Sequence, residues 1–322
     1  MNSGKKSKYA HALTMFTRQV QNATIIWINI TMRISMRDPD EKKNKLKAIF
    51  TLLITAFMWS LAGVLIKYID WNPLAIAGTR SIIAAIFIYP LFIHKKKIIF
   101  TKPVLLGSVA CAANVICFVG ATKLTTAANA VLLLYTSPLF VAFFSFWLLR
   151  EKILFIDWIS LFFIFGGMSL FFLDDLTGDN MLGNILAIIS GMAFAFMAIF
   201  MRMQKAASPI DSVFLGSVLT GIVGIPFMFG SVPDLSGWAA LLVLGVVQLA
   251  IPYILFSYAI KHVSALESML IPMIEPLLNP VWVFVFMAEI PGVWALTGGT
   301  VVLLSVFARA YTAYRLYAGK SH

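Results

Sequence analysis

Charged residues are scarce in this chain of 322 residues. Asp, Glu, Lys and Arg make up 12% of it, against roughly 25% in soluble domains, while 60% is hydrophobic and the mean hydropathy is +0.90. This scarcity excludes an ordinary soluble domain and indicates a membrane protein. The net charge of +11 does not indicate a nucleic-acid partner, because most Lys and Arg residues lie in short loops between apolar runs, where they set orientation in a bilayer.

Reactive and metal-ligating side chains are also few. The two cysteines, Cys111 and Cys117, share one apolar segment and fall on different faces of a helix, which favours a packing role over a disulfide or a metal site. The four histidines lie in tails or loops, which disfavours an intramembrane enzyme built on paired His and acidic ligands. The chain has no G-x-x-x-x-G-K-[ST] loop, so ATP bound to such a loop is not its energy source. We therefore expect neither a metal nor a cofactor.

One long stretch of the sequence occurs twice. Residues 118–151 align without gaps on residues 256–289 at an offset of 138. Nine residues coincide: Phe118/Phe256, Ala121/Ala259, Lys123/Lys261, Ala127/Ala265, Leu132/Leu270, Pro138/Pro276, Leu139/Leu277, Phe146/Phe284 and Glu151/Glu289. Internal duplication in an apolar chain is typical of transporters built from repeats, with the binding site between them.

Ten apolar segments are long enough to cross a hydrocarbon core of roughly 30 Å, and we number them spans one to ten. They lie at about residues 46–67, 73–93, 103–123, 126–149, 155–173, 184–204, 209–230, 238–260, 264–288 and 291–313. The connections are short, so the sequence predicts an all-α membrane protein with one compact bundle. Residues 1–47 form a basic N-terminal extension, either lying on the membrane surface or dispensable, and residues 314–322 form a cytoplasmic tail.

The loops differ in positive charge. Those on one side of the spans hold sixteen Lys and Arg residues, and those on the other side hold only Lys67 and Lys123, which predicts that both termini are cytoplasmic. Residues 48–173 and 184–313 then form one repeat each. Because five spans is an odd number, the second repeat enters from the opposite side. The sequence therefore predicts two inverted five-helix repeats with a site near the membrane midplane.

Several short motifs recur in an order typical of one family of transporters. They are Trp59 in span one, Arg80 in span two, Thr125 to Ala130 leading to Pro138 and Glu151, and Ala265 through Glu275-Pro276 to Glu289. With these motifs, residues 46–313 resemble the EamA-type ten-span members of the drug/metabolite transporter superfamily. The resemblance implies a secondary transporter of the cytoplasmic membrane that exports amino acids or related small metabolites by alternating access. A non-transporting membrane scaffold is the alternative.

The same resemblance implies the partners. These are a small-molecule substrate and membrane lipid, with protons as a further candidate, and no nucleic acid. A monomer and a homodimer both stay open.

Two charged residues lie well inside predicted spans, Arg80 and Glu275. An unpaired charge at the bilayer centre costs roughly 2.5 to 3.5 kcal/mol on insertion scales. At about 1.5 Å per residue the two lie at similar depths, so that either a salt bridge or a pair bridged by substrate is open. Arg80 is a substrate-binding residue or a helix-packing cation. For Glu275 we favour a cavity-facing polar group over a purely structural one. That it exchanges a proton during transport is a hypothesis.

Other polar and aromatic positions complete the predicted substrate cavity: Trp59, Asn114, Tyr135, Phe194, Gln248, Tyr253 and Asn279. Each could equally serve as a link between helices. Phe194 corresponds to Trp59 in the second repeat. Four prolines predict bends in spans four and nine that act as hinges or only improve packing: Pro138, Pro272, Pro276 and Pro280. Charged residues at span ends, among them Glu151, are assigned to architecture.

Overall fold

The structure, a computed structural model, describes residues 39–93, 100–151, 155–171, 180–204 and 208–276, with isolated helical positions between 278 and 308. These residues form helices and no strand. Seven of the described helices are long and apolar enough to cross a membrane, and two shorter apolar helices accompany them. The predicted all-α membrane class is confirmed. The two terminal tails, most of span ten, and the predicted site residues Asn279 and Pro280 lie outside the described residues.

The described helices follow the predicted spans, with interruptions. Spans one to four are Pro39–Trp59 with Ala62–Tyr68, Pro73–Ile93, Lys102–Leu124, and Ala127–Leu134 with Ser137–Leu148. Spans five to seven are Phe155–Phe171, Met181–Met203, and Pro209–Gly224 with a 3₁₀ turn at Ile225–Phe227. Span eight is Leu235–Val243 and Ile251–Ala259, joined by the π-helical segment Leu244–Ala250. Span nine is Ala265–Leu270 followed by the 3₁₀ turn Ile271–Ile274.

Local sequence accounts for where these helices begin. Span four starts after Thr126, whose hydroxyl accepts a hydrogen bond from Asn129 N at 3.1 Å. Span nine starts with a capping box, in which Ser264 Oγ accepts from Glu267 N and Glu267 Oε2 accepts from Ser264 N. Such caps satisfy N–H groups that have no partner within the helix.

Three interruptions fall inside spans. Span one breaks at Ser60, directly after Trp59, a break that the sequence analysis did not predict. Span four breaks after Leu134, ahead of Pro138, and span nine tightens into the 3₁₀ turn that contains Pro272. Pro lacks the N–H that continues an α-helix, which explains why the last two interruptions fall where they do.

The chain divides into two units, a larger one of residues 47–152 and 177–279 and a smaller one of residues 1–46, 153–176 and 280–322. In the larger unit span three packs against spans six and seven, and span two against span seven and the π-helical segment. Glycines allow the closest approaches. A Cβ added to Gly224 would lie 2.5 Å from Gly78 Cα, and one added to Gly245 would lie 2.9 Å from Arg80 O. Small residues at helix contacts are typical of membrane bundles.

We predict that Gly224→Ala destabilises the protein. The new methyl group would meet backbone atoms, Gly78 Cα at 2.5 Å and Leu74 O at 2.8 Å, that cannot move without separating spans two and seven. Overpacking of this kind costs about 1 to 3 kcal/mol. The control is Gly166→Ala, because nothing lies within 4 Å of a Cβ there. Thermal unfolding in detergent should show a lower midpoint for Gly224→Ala alone; equal midpoints would contradict the packing.

Candidate functional site

A small cavity lies inside the larger unit, between spans one, two, three, four, six, eight and nine. Its volume is about 30 Å³, and its lining is Trp59, Arg80, Asn114, Val115, Phe118, Leu134, Phe194, Gln248, Leu249, Tyr253 and Glu275. Most of the residues that the sequence singled out for a substrate cavity therefore lie around one space. Tyr135 does not line it but contacts a residue that does.

Arg80 is a cation without a charged partner in the described part of the chain. Its side chain is 2% exposed, and its terminal nitrogen Nη1 donates a hydrogen bond to Gln248 Oε1 at 3.2 Å. Its Nε has no hydrogen-bond partner among the described residues. A buried cation that is not neutralised by a protein carboxylate is costly, and such groups in membrane proteins usually face a pathway for ions or solutes. The guanidinium is therefore available to an anionic group from outside the protein.

Glu275 is also 2% exposed, and it does not pair with Arg80. Instead the Tyr135 hydroxyl lies 2.8 Å from Glu275 Oε2 and 2.8 Å from Pro272 O. A hydroxyl has one proton to donate. Both contacts are hydrogen bonds at the same time either when the hydroxyl proton is shared between the two oxygens or when the Glu275 carboxyl is protonated and donates to the Tyr135 oxygen. The geometry thus accommodates the proton that the sequence analysis assigned to this residue as a hypothesis.

The Pro272 carbonyl explains why Tyr135 approaches here. In an α-helix this oxygen would accept from the N–H of residue 276, but Pro276 has none. It accepts instead from Glu275 N and lies within hydrogen-bonding distance of the Tyr135 hydroxyl. The interrupted parts of spans four and nine are joined at this point, beside the cavity.

A second group of hydrogen-bonded side chains lies in the wall of the cavity. Asn114 Nδ2 donates to Tyr253 OH at 2.9 Å, which links spans three and eight. Ser190 Oγ in span six lies 3.0 Å from Asn114 O and 2.9 Å from Asn114 Oδ1. Asn114 and Tyr253 therefore combine the two functions that the sequence left open, since they line the cavity and also connect helices.

Aromatic rings form the apolar side of the cavity. Trp59 meets Phe194 edge to face at a centroid distance of 5.5 Å, and it lies 5.5 Å from Tyr253 and 5.7 Å from Phe256. Trp59 and Phe194, at corresponding places in the two repeats, are thus in contact. The sequence analysis missed Phe118 as a lining residue, although Phe118 and Phe256 are one of the nine identities between the repeats.

Gln248 occupies the π-helical segment of span eight. Such wide turns are rare and are frequent at functional sites. Gly245, one residue into the same segment, brings the backbone of span eight against Ile83 and Arg80 O in span two. The segment thereby places Gln248 within reach of the Arg80 guanidinium.

Comparison with known proteins agrees with this arrangement. Residues 46–173 and residues 181–309 each match the EamA-like transporter family. The chain belongs to this family. Two copies of one five-span domain make this EamA-like transporter a two-repeat, ten-helix protein of the drug/metabolite transporter superfamily. The odd number of spans per copy inverts the second repeat relative to the first.

Curated relatives carry transporter names. An uncharacterized transporter of Archaeoglobus fulgidus is 25% identical over 79% of this chain and 93% of its own length. The pseudopaline exporter CntI of Pseudomonas aeruginosa is 25% identical over 82% of this chain and 96% of its own. A solved crystal structure superposes with a TM-score of 0.66 at 18% identity, covering 83% of this chain and 97% of that one, which shows the same fold. The protein is therefore a multi-pass membrane transporter of a small molecule and not an enzyme.

We predict that Tyr135→Phe destabilises the protein by about 1 to 3 kcal/mol, since two buried oxygens lose a hydrogen-bonding group. In a Glu275→Gln background the loss should be smaller, because the contact between Tyr135 and the carboxyl is already altered. The measurement is a double-mutant cycle of unfolding in denaturing detergent.

Tyr258→Phe is the control for this cycle, because the Tyr258 hydroxyl forms no hydrogen bond with the described residues. Additive effects of Tyr135→Phe and Glu275→Gln would show that the hydroxyl and the carboxyl are not coupled.

Proposed function

We propose that this EamA-like transporter exports amino acids or related zwitterionic metabolites across the cytoplasmic membrane by alternating access. One observation carries the proposal. A guanidinium with a free Nε and a carboxyl group, both 2% exposed, line the same cavity without neutralising each other.

The two charged groups complement the two ends of a zwitterion. Arg80 can bind a carboxylate through its planar array of donors. Its present partner, Gln248, is neutral, so the hydrogen bond between them can be exchanged for one to the solute at small cost. The Glu275 carboxylate, when it is ionised, can accept hydrogen bonds from the ammonium group. The Trp59 and Phe194 rings leave an apolar wall for the rest of the solute.

The size of the cavity supports a mechanism in which the protein changes shape. A volume of about 30 Å³ is far below the roughly 300 to 1,000 Å³ of small-molecule sites, so the cavity must widen to admit an amino acid. The interruptions in spans one, four and nine all adjoin the cavity. Interrupted helices at equivalent places in two repeats are typical hinges and binding elements of secondary transporters.

Two further observations support the proposed direction of transport and the proposed membrane location. One relative is named an exporter. The excess of Lys and Arg in alternate loops supports a cytoplasmic membrane location with both termini in the cytoplasm.

We expect Arg80→Gln to lower solute counterflow in proteoliposomes by about tenfold or more, because a charge-assisted hydrogen bond to the solute is lost. The assay uses a panel of radiolabelled amino acids, one at a time, against the same unlabelled compound inside. Lys102→Gln removes an exposed positive charge at the start of span three and should leave counterflow unchanged. If the parent protein shows counterflow with none of these amino acids, the proposed substrate class is refuted.

Glu275→Gln should abolish the dependence of uptake on an imposed pH gradient, because Gln has no titrating proton. The charged or titratable groups around the Glu275 carboxyl are Tyr135, which contacts it, and Arg80 and Tyr253, which share the cavity. Asp70→Asn, at an exposed position between spans one and two, is the control. Uptake that the gradient still drives in Glu275→Gln would assign the proton to another group.

A further inference from the structure

Three spans meet on the carboxylate of Glu151, which lies three residues after Leu148, the last helical residue of span four. Its Oε1 accepts a hydrogen bond from Arg202 Nε at 3.2 Å, in span six. Its Oε2 accepts from Ala265 N at 3.1 Å, at the start of span nine. Glu151 belongs to the first repeat, whereas Arg202 and Ala265 belong to the second. This contact therefore joins the two repeats.

Arg202 is held on its other side by backbone oxygens. Its Nη1 donates to Ile260 O at 3.1 Å and to Lys261 O at 3.0 Å, at the end of span eight. Carbonyl groups at the C-terminal end of a helix favour a cation. One guanidinium thus connects a carboxylate of the first repeat with two carbonyls of the second, a geometry for which the fixed donors of Arg are suited.

The ion pair borders a cavity of about 670 Å³ that is separate from the central one. Leu149, Glu151, Arg202, Gln204 and Lys261 are among its lining residues. The volume lies in the range of small-molecule sites, roughly 300 to 1,000 Å³. The side chains of Arg202 and Glu151 are 31% and 24% exposed, so the pair is partly hydrated, and pairs of this kind are weak enough to open and close repeatedly.

The same three spans line the central cavity further along. Leu134 in span four, Phe194 in span six and Glu275 in span nine all contribute to it. Phe194 precedes Arg202 by eight residues in one helix, which is about 12 Å at a rise of 1.5 Å per residue. Glu151 therefore ties together, at one end, the helices that must part if solute is to travel between the two cavities.

We propose that Glu151 and Arg202 are positioning residues that close the central cavity toward this end of the bundle. In each transport cycle the ion pair separates, and the ends of spans four, six and nine move apart. The inference rests on the proposed alternating access. It revises the assignment of Glu151 to architecture alone, because a residue that merely ended span four would have no reason to bind both span six and span nine of the other repeat.

A neighbouring histidine, His262, adds no positive charge near Arg202 at neutral pH. Burial, and then the positive charges of Lys261, Arg202 and Lys47, hold the pKa of His262 below its usual value. His262 packs against the Tyr258 ring at a centroid distance of 4.9 Å. The pair that closes this end is therefore Glu151 with Arg202.

The test measures access to the central cavity without any solute. Val115→Cys, at a lining position, is placed in a Cys111→Ala, Cys117→Ala background and is labelled with a membrane-impermeant maleimide in vesicles of each orientation. Glu151→Gln and Arg202→Gln should each raise the labelling rate from one side, by up to about fivefold, which matches the loss of a partly exposed ion pair.

Lys261→Gln is the matched control, because it removes a positive charge from the same cavity but leaves the Lys261 carbonyl in place. It should label at the parental rate.

Several results would overturn the proposal: parental rates in both single variants, equal increases from both sides, or an increase as large in Lys261→Gln. A variant that does not elute as a folded peak in size-exclusion chromatography is replaced by Arg202→Lys, which keeps the positive charge but lacks the fixed donors of Arg and should raise labelling from the same side. Parental labelling in Arg202→Lys would also overturn the proposal. If the ion-pair variants change labelling as expected but the protein transports no amino acid, the proposed substrate is refuted. The closure of the cavity by Glu151 and Arg202 then still holds.

Discussion

The fold depends on a constraint that lipid imposes, namely that each backbone polar group inside the membrane must find its partner within the protein. Pro276 creates the sharpest local case, since it deprives the Pro272 carbonyl of its α-helical donor. The protein meets this need with Glu275 N and with the Tyr135 hydroxyl from another span. The contact that satisfies an interrupted helix is thereby also the contact that positions the buried carboxyl group. The interruption of span nine and the position of the buried carboxyl group are therefore linked, because the Tyr135 hydroxyl contacts both the Pro272 carbonyl and Glu275.

Arg80 and Glu275 share a cavity and yet have neutral partners, Gln248 and Tyr135. A direct salt bridge would lower the cost of burying both charges, but it would leave a solute nothing to bind. Polar neutral partners reduce the cost in part and can be exchanged for a solute group of opposite charge. The arrangement gives up some stability of the empty protein and leaves the guanidinium and the carboxyl group unpaired with each other, as the proposed binding of a zwitterion requires.

Much of this site could be predicted from the sequence because charged, amide and aromatic residues within apolar spans are few. Arg80, Glu275, Gln248 and Asn114 stand out against their neighbours for that reason. Val115, Leu134 and Leu249 could not be predicted, since an apolar residue facing a cavity has the same chemistry as one facing lipid. The break at Ser60 and the wide turn in span eight depend on contacts with other spans, and no local pattern announces them. Glu151 was placed correctly at a span end, but its partners lie 51 and 114 positions further along the chain.

The π-helical segment also determines which groups span eight presents. Gln248 and Tyr253 are five positions apart, which in a regular α-helix would turn their side chains about 140° away from each other. Both nevertheless line the central cavity, because the turn between them holds more residues than an α-helical one. If Leu244–Ala250 rewound to regular α-helical geometry, the following helix Ile251–Ala259 would rotate about its own axis relative to Leu235–Val243. Gln248 and Tyr253 would then no longer face the cavity together, so the lining could change without any tilt or shift of the helix.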